Sequence, residues 1–123
     1  MGKLLIHLVD DDAVRKSIAR MLTLGNYGVR EYRSGTELLA AADTLDDGCI
    51  LIDVNMPGPD GPTVVARLRD RSVRLPVVMM TGSGGLPVGT PGVAGFIPKP
   101  FLRATLMAIL DEVSTPTPKG DRR

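Results

Sequence analysis

Cysteine is nearly absent from this chain of 123 residues. Cys49 is the only one, so an intramolecular disulfide is excluded and a reducing, cytoplasmic setting is expected. An excess of charge is missing too. Fifteen basic against 14 acidic residues leave a formal net charge of +1. The basic residues are scattered rather than striped, which argues against direct nucleic-acid binding or an anionic membrane surface. Long hydrophobic runs are also lacking. The apolar stretch within the first nine residues is too short for a signal peptide and runs into acids instead of small residues. Ile6 stands where an acylation signal after Met1-Gly2 would want Ser or Thr, so no lipid anchor is expected. No segment repeats. What is left is an ordinary soluble composition, 43% hydrophobic and 24% charged, sized for one domain with a single core.

Alternation is what the chain does have. Leu4 to Val9 is a short apolar run of the kind buried on both faces of a sheet. From Ala13 to Leu24 the residues Val14, Ile18, Met21 and Leu22 recur at helical spacing, and Gly25 stops them. Val29 to Tyr32 suits a brief strand. Ser34-Gly35-Thr36-Glu37 is a capping box in front of Leu38 and Leu39, opening a second helix. Cys49 to Ile52 is a third strand pattern and ends on Asp53. Gly58-Pro59-Asp60-Gly61 is turn chemistry ahead of a helical pattern in Val64, Val65 and Leu68. Pro76 to Met80 and Val93 to Ile97 read as strands, ending at Thr81 and near Lys99. Phe101 to Val113 carries Phe101, Leu102, Leu106, Ile109 and Leu110 on one helical face. The expected domain covers residues 1–113, with 114–123 a polar tail or the start of a linker.

Strands alternating with helices predict an α/β fold, a parallel sheet covered on both faces by right-handed crossovers. Sites in such sheets form beyond the carboxyl ends of the strands. The polar residues there are Asp10, Asp11, Asp53, Thr81 and Lys99. Clustered carboxylates suit a hard divalent cation such as Mg²⁺. A lysine, a threonine hydroxyl and free backbone N–H groups suit phosphoryl oxygens. Together they suggest phosphoryl transfer with one carboxylate as nucleophile. Taken singly, each has a plainer reading: Asp10 and Asp11 as acids at a helix N-terminus, Thr81 as a turn residue, Lys99 as a solvated lysine, Phe96 as core. Asp12 reads as the helix-capping acid, His7 as a satisfied strand residue and Cys49 as inert core.

The segments D-D after the first strand, D-V-N-M-P-G-P-D-G after the third, M-M-T-G after the fourth and F-I-P-K-P-F at the fifth resemble a response-regulator receiver domain of two-component signalling. V-R-K-S-I and T-G are most similar to receivers of the nitrogen-fixation-regulator type. The resemblance runs from Leu4 to Val113. It implies a flavodoxin-like, doubly wound sheet of five parallel strands in the order 2-1-3-4-5. It further implies a phosphoprotein accepting a phosphoryl group on Asp53 from a histidine kinase or phosphotransfer protein. Mg²⁺ would be held by Asp10, Asp11, Asp53 and the backbone carbonyl of Asn55. Thr81 and Lys99 would contact the phosphoryl group, with Lys99–Pro100 usually cis. Thr81 and Phe96 would form the conformational switch, and Asn55 and Ser83 would tune the lifetime of the phosphoryl group. Such a chain is not an enzyme beyond its own phosphoryl transfer and dephosphorylation, and its output is a downstream protein target.

Two departures from that family stand out. D-D-D-A-V-R is one residue short between the acid pair and Val14-Arg15, which leaves Asp10–Asp11 or Asp11–Asp12 as the metal pair; counting from the strand favours the former. The connection from Thr81 to Lys99 is short and holds Gly82, Gly84, Gly85, Gly89 and Gly92 with Pro87 and Pro91. Glycine and proline cost about 1 and 3 kcal/mol each inside a helix, so the helix usual between the fourth and fifth strands is expected to be missing or reduced to a turn. Leu86, Val88 and Val93 would then form an apolar surface for a partner or a homodimer. Two alternatives stay open: the N-terminal receiver part of a transcription factor, and a pseudo-receiver that only binds protein. A phosphatase using an aspartyl phosphate would want a second acid two positions after Asp53, where Asn55 stands.

Overall fold

A computed structural model of the chain describes residues 4–56, 58–82 and 93–114. Its five strands are β1 (Leu5–Val9), β2 (Gly28–Tyr32), β3 (Cys49–Asp53), β4 (Val77–Thr81) and β5 (Gly95–Pro98). All pair in parallel in the order β2-β1-β3-β4-β5. The chain therefore starts near the middle of the sheet, moves to one edge, then crosses to the other. The described helices are α1 (Asp12–Leu24), α2 (Gly35–Ala40), α3 (Gly61–Asp70) and α4 (Arg103–Ser114), with a short 3₁₀ turn at Ala42–Thr44.

Strand parity divides the core in two. Ile6, Leu8, Cys49, Leu51, Val78, Met80 and Ile97 face Ile18 and Leu22 of α1 and Leu106 and Leu110 of α4. The residues between them, Val9, Ile50, Ile52, Val77 and Met79, face Leu38 and Leu39 of α2 and Val64, Val65 and Leu68 of α3. The central strands are buried on both sides, which is why they read as unbroken apolar runs.

Local chemistry sets the helix ends. Ser34 Oγ accepts the Glu37 N–H at 3.1 Å, and Glu37 returns a carboxylate to the Arg33 N–H at 2.9 Å, so the capping box forms with its return arm one residue earlier. Asp60 caps α3 through the Thr63 N–H at 2.9 Å. Gly25 closes α1 by donating to Met21 and Leu22 carbonyls. Two expectations change. The cap of α1 is Asp11, which accepts the Val14 N–H at 3.1 Å, and not Asp12. Leu102 lies ahead of α4 with 74% of its surface exposed, because the turn after Lys99 uses residues that the apolar pattern had put in the helix. The expected loss of the helix between β4 and β5 falls mainly on residues 83–92 and the tail on 115–123, both outside the described residues.

Candidate functional site at the carboxyl edge of the sheet

Parity also aims the polar strand ends. Asp10 follows Leu8 by two positions, Asp53 follows Leu51 and Lys99 follows Ile97, and all three of those apolar residues belong to the α1–α4 side of the core. The alternation of a strand therefore carries the three polar side chains to that side. They meet. Lys99 Nζ donates to Asp10 Oδ2 at 2.8 Å and to Asp53 Oδ2 at 3.0 Å. Asp10 is fully buried and Asp53 nearly so. The remaining oxygens are held by backbone: Asp10 Oδ1 accepts the Asp11 N–H at 2.7 Å, and Asp53 Oδ1 the Asn55 N–H at 3.1 Å.

The electrostatics follow from that burial. Desolvation pushes the Asp10 carboxyl above its ordinary range, against the pull of Lys99 and the Asp11 N–H. Burial works to lower the Lys99 pKa, but the carboxylates of Asp10 and Asp53 outweigh it and the net direction is up. An ionised Asp10 therefore depends on a cation beside it.

Lys99 is itself placed by β4, since its N–H donates to the Thr81 carbonyl at 2.6 Å. The Lys99–Pro100 bond is cis. Thr81 is buried at the tip of β4 and continues the Val77–Met79 side of that strand. Phe96 packs against the same side, opposite Met79 in the β4–β5 register. Asp53, Asp10 and Lys99 are thus brought together on one side of the sheet, with Thr81 and Phe96 on the other. Asn55 is exposed just beyond β3. Asp11 is exposed and engaged as the helix cap, and Asp12 pairs with Arg15 at 2.7 Å. Ser83 lies outside the described residues.

Gly61, the first residue of α3, packs so closely on β3 that a Cβ there would stand 2.9 Å from the Asp53 carbonyl oxygen. Beside Lys99, residues Val14, Ser17, Ile18, Met21, Pro100 and Phe101 line an apolar groove of about 370 Å³. Arg15 was not singled out by sequence reasoning. Its signal was positional: it falls in register with Ile18 and Leu22 on the buried face of α1.

Among the described residues no group of three or more acids, histidines or cysteines converges for a metal. Two carboxylates do converge, and Mg²⁺ commonly takes one or two of them with water and substrate oxygens. A buried carboxylate that needs a cation and a second one sharing that cation form a hard-oxygen donor set fitting Mg²⁺. His7, by contrast, is a satisfied core residue. Its Nδ1 meets the Tyr32 hydroxyl at 3.0 Å and its Nε2 the Asp46 carbonyl at 2.9 Å. Cys49 is buried, its thiol pushed up to about 12 by desolvation.

The family model described as response regulator receiver domain matches residues 6–111. The transcriptional regulatory protein FixJ of Azorhizobium caulinodans is 38% identical over 108 residues, 84% of this chain and 51% of that protein. The tetrathionate response regulatory protein TtrR of Salmonella typhimurium is 36% identical over 115 residues, 89% of this chain and 56% of that protein. The crystal structure of FixJ-N superposes with a TM-score of 0.84 at 30% identity, covering 93% of this chain and 95% of that one. The chain spans about half the length of these curated relatives.

Proposed function

Because the chain belongs to the response-regulator receiver family, we propose that Asp53 is its phosphoacceptor and that the convergence of Asp10, Asp53 and Lys99 is the site of transfer. A receiver domain is regulatory and not an enzyme in the ordinary sense; it performs a single transfer onto itself. A carboxylate oxygen of Asp53 attacks the phosphorus of a kinase phosphohistidine, or of a small phosphodonor. The P–N bond breaks as the O–P bond forms, and the electron pair leaves on the imidazole nitrogen, which takes up a proton. The Asn55 N–H on Asp53 Oδ1 orients the carboxylate. Lys99, whose backbone N–H is held by the Thr81 carbonyl, keeps its ammonium beside the Asp53 carboxylate, where it neutralises charge arriving with the phosphoryl oxygens. Thr81, at the neighbouring strand tip, supplies a hydroxyl to one of those oxygens. Asp10 and Asp53, with Asp11 and the Asn55 carbonyl, would hold Mg²⁺, whose charge supports the same transfer when bound.

The observation that carries this reading is the pair of strand-end carboxylates sharing one buried-edge lysine. Incubation with a small phosphodonor and Mg²⁺, followed by intact mass, tests it. The parent gains one phosphoryl group and Asp53→Ala gains none; no gain by the parent would make the chain a pseudo-receiver. The partners expected are a histidine kinase or phosphotransfer protein upstream and a protein target downstream. Among the described residues no helix is long and apolar enough to cross a membrane, in keeping with a cytoplasmic role.

The coverage of the relatives favours a second reading of the output. Because the chain spans about half of proteins named as transcriptional regulators, it can be the input half of such a regulator, with 114–123 the start of a linker. The intact mass of the protein isolated from its own cells distinguishes this from a single-domain switch.

A further inference from the structure

We propose that Arg15 is a positioning residue of the acceptor site, holding the backbone of Asp10 so that its carboxylate meets the cation and Asp53. The inference rests on the receiver reading above. Arg15 lies on α1 yet is only 6% exposed. Burying a guanidinium is costly unless it is paired, and here two of its nitrogens reach three partners. Nε donates to Glu31 Oε1 at 2.9 Å. Nη1 donates to Asp12 Oδ1 at 2.7 Å and to the Asp10 carbonyl at 3.3 Å.

The three partners come from three places around the β1–α1 junction, and only the Asp12 pair lies within α1 itself. Glu31 sits on β2, the edge strand, paired in register with Leu8 of β1. Asp12 is the first residue of α1, with a side chain 71% exposed. Asp10 is the junction between them. Its side chain points to Lys99 and its carbonyl points to Arg15. No spacer residue separates β1, Asp10 and the cap Asp11, so a shift of that junction moves the carboxylate directly. A planar fork fixed by two carboxylates is rigid in a way a point charge is not. The Glu31 pair occupies Nε alone and leaves Nη1 to the β1–α1 junction. The other arm, on the carbonyl of a metal-binding acid and the residue after the cap, is the geometry of an outer-shell support.

The test uses the whole chain as parent, Arg15→Gln, Arg15→Lys and Glu31→Gln. Affinity for Mn²⁺ and Mg²⁺ is measured by calorimetry, phosphorylation by a small phosphodonor is followed at saturating metal, and Tm is recorded. Arg15→Gln should weaken metal binding about tenfold and lower the maximal phosphorylation rate with little change in donor KM. Arg15→Lys should recover part of the loss, and Glu31→Gln should show a smaller shift in the same direction. Metal affinities of Arg15→Gln and Glu31→Gln within about twofold of the parent, less than outer-shell changes usually cause, would overturn the positioning role whatever their Tm. Should Arg15→Gln not fold, Glu31→Gln decides by the same criterion. A parent that neither binds metal nor takes a phosphoryl group would overturn the receiver reading as well; a parent that does both, with variants that match it, overturns the positioning role alone.

Discussion

At the scale of single residues, burial decides which polar groups matter. The imidazole of His7, the chain's only histidine, has its two nitrogens committed in one way. The Asp46 carbonyl can only accept, so Nε2 carries the proton and Nδ1 accepts from the Tyr32 hydroxyl. Desolvation lowers its pKa below the ordinary 6.5, against the pull of the Asp46 carbonyl. The unfolded chain therefore binds a proton near pH 6.5 that the folded chain refuses. Its contribution is present above that pH and is lost as the pH falls from it toward the folded value, with a slope of at most about 1.4 kcal/mol per pH unit. Denaturant midpoints at pH 7.5 and 5.5 should show the parent losing more stability than His7→Asn; equal losses would mean that His7 titrates freely in the fold. The sequence made His7 legible as a satisfied strand residue, but not its partners, which lie 25 and 39 positions away. Arg15 was hidden for a related reason. A charge on an apolar stripe is invisible to a hydrophobic pattern, although its register with Ile18 and Leu22 is plain once charge is ignored.

At the scale of elements, most of the fold was legible because the signals are local. The strand patterns at Cys49–Ile52 and Pro76–Met80 correspond to β3 and β4, and the turn chemistry at Gly58–Gly61 becomes the Asp60 cap of α3. The errors fall at junctions. Asp11 and Asp12 are equally good caps by residue type, and only the backbone leaving β1 determines which one faces the Val14 N–H. Leu102 looked like helix because its spacing fits, but the turn at Lys99–Pro100 delays the helix to Arg103. The β3–α3 junction is tighter than sequence shows. Gly61 reads as a turn glycine, while its structural task is to let α3 approach the Asp53 carbonyl. Gly61→Ala should cost about 1–3 kcal/mol, as overpacking against backbone does, and should slow phosphoryl uptake by displacing the end of β3. Unchanged thermal melting together with an unchanged rate of mass gain would show that the junction relaxes freely.

At the scale of the molecule, the order β2-β1-β3-β4-β5 makes the site possible, since β1, β3 and the end of β5 contribute to it from 89 positions apart. The alternation of strands with helices predicted that gathering, and the parallel sheet delivers it. Thr81 has a place of its own in the arrangement. Its carbonyl anchors Lys99, while its side of β4 is shared with Phe96. Thr81→Ala should still accept a phosphoryl group on Asp53, more slowly, but should uncouple β5 from it. Hydrogen exchange of β5 amides, with and without beryllofluoride, should change in the parent and change less in Thr81→Ala; equal changes in both would mean that Thr81 does not link Asp53 to β5.

The two-sided parity of the sheet has a consequence for how such a protein can diversify. The sheet acts as a wall, with the acids and the lysine in one room and the aromatic of the proposed switch in the other, and Thr81 as the door between. Residues packed around Phe96 can be exchanged while the contacts of Asp10, Asp53 and Lys99 next door keep their tenants.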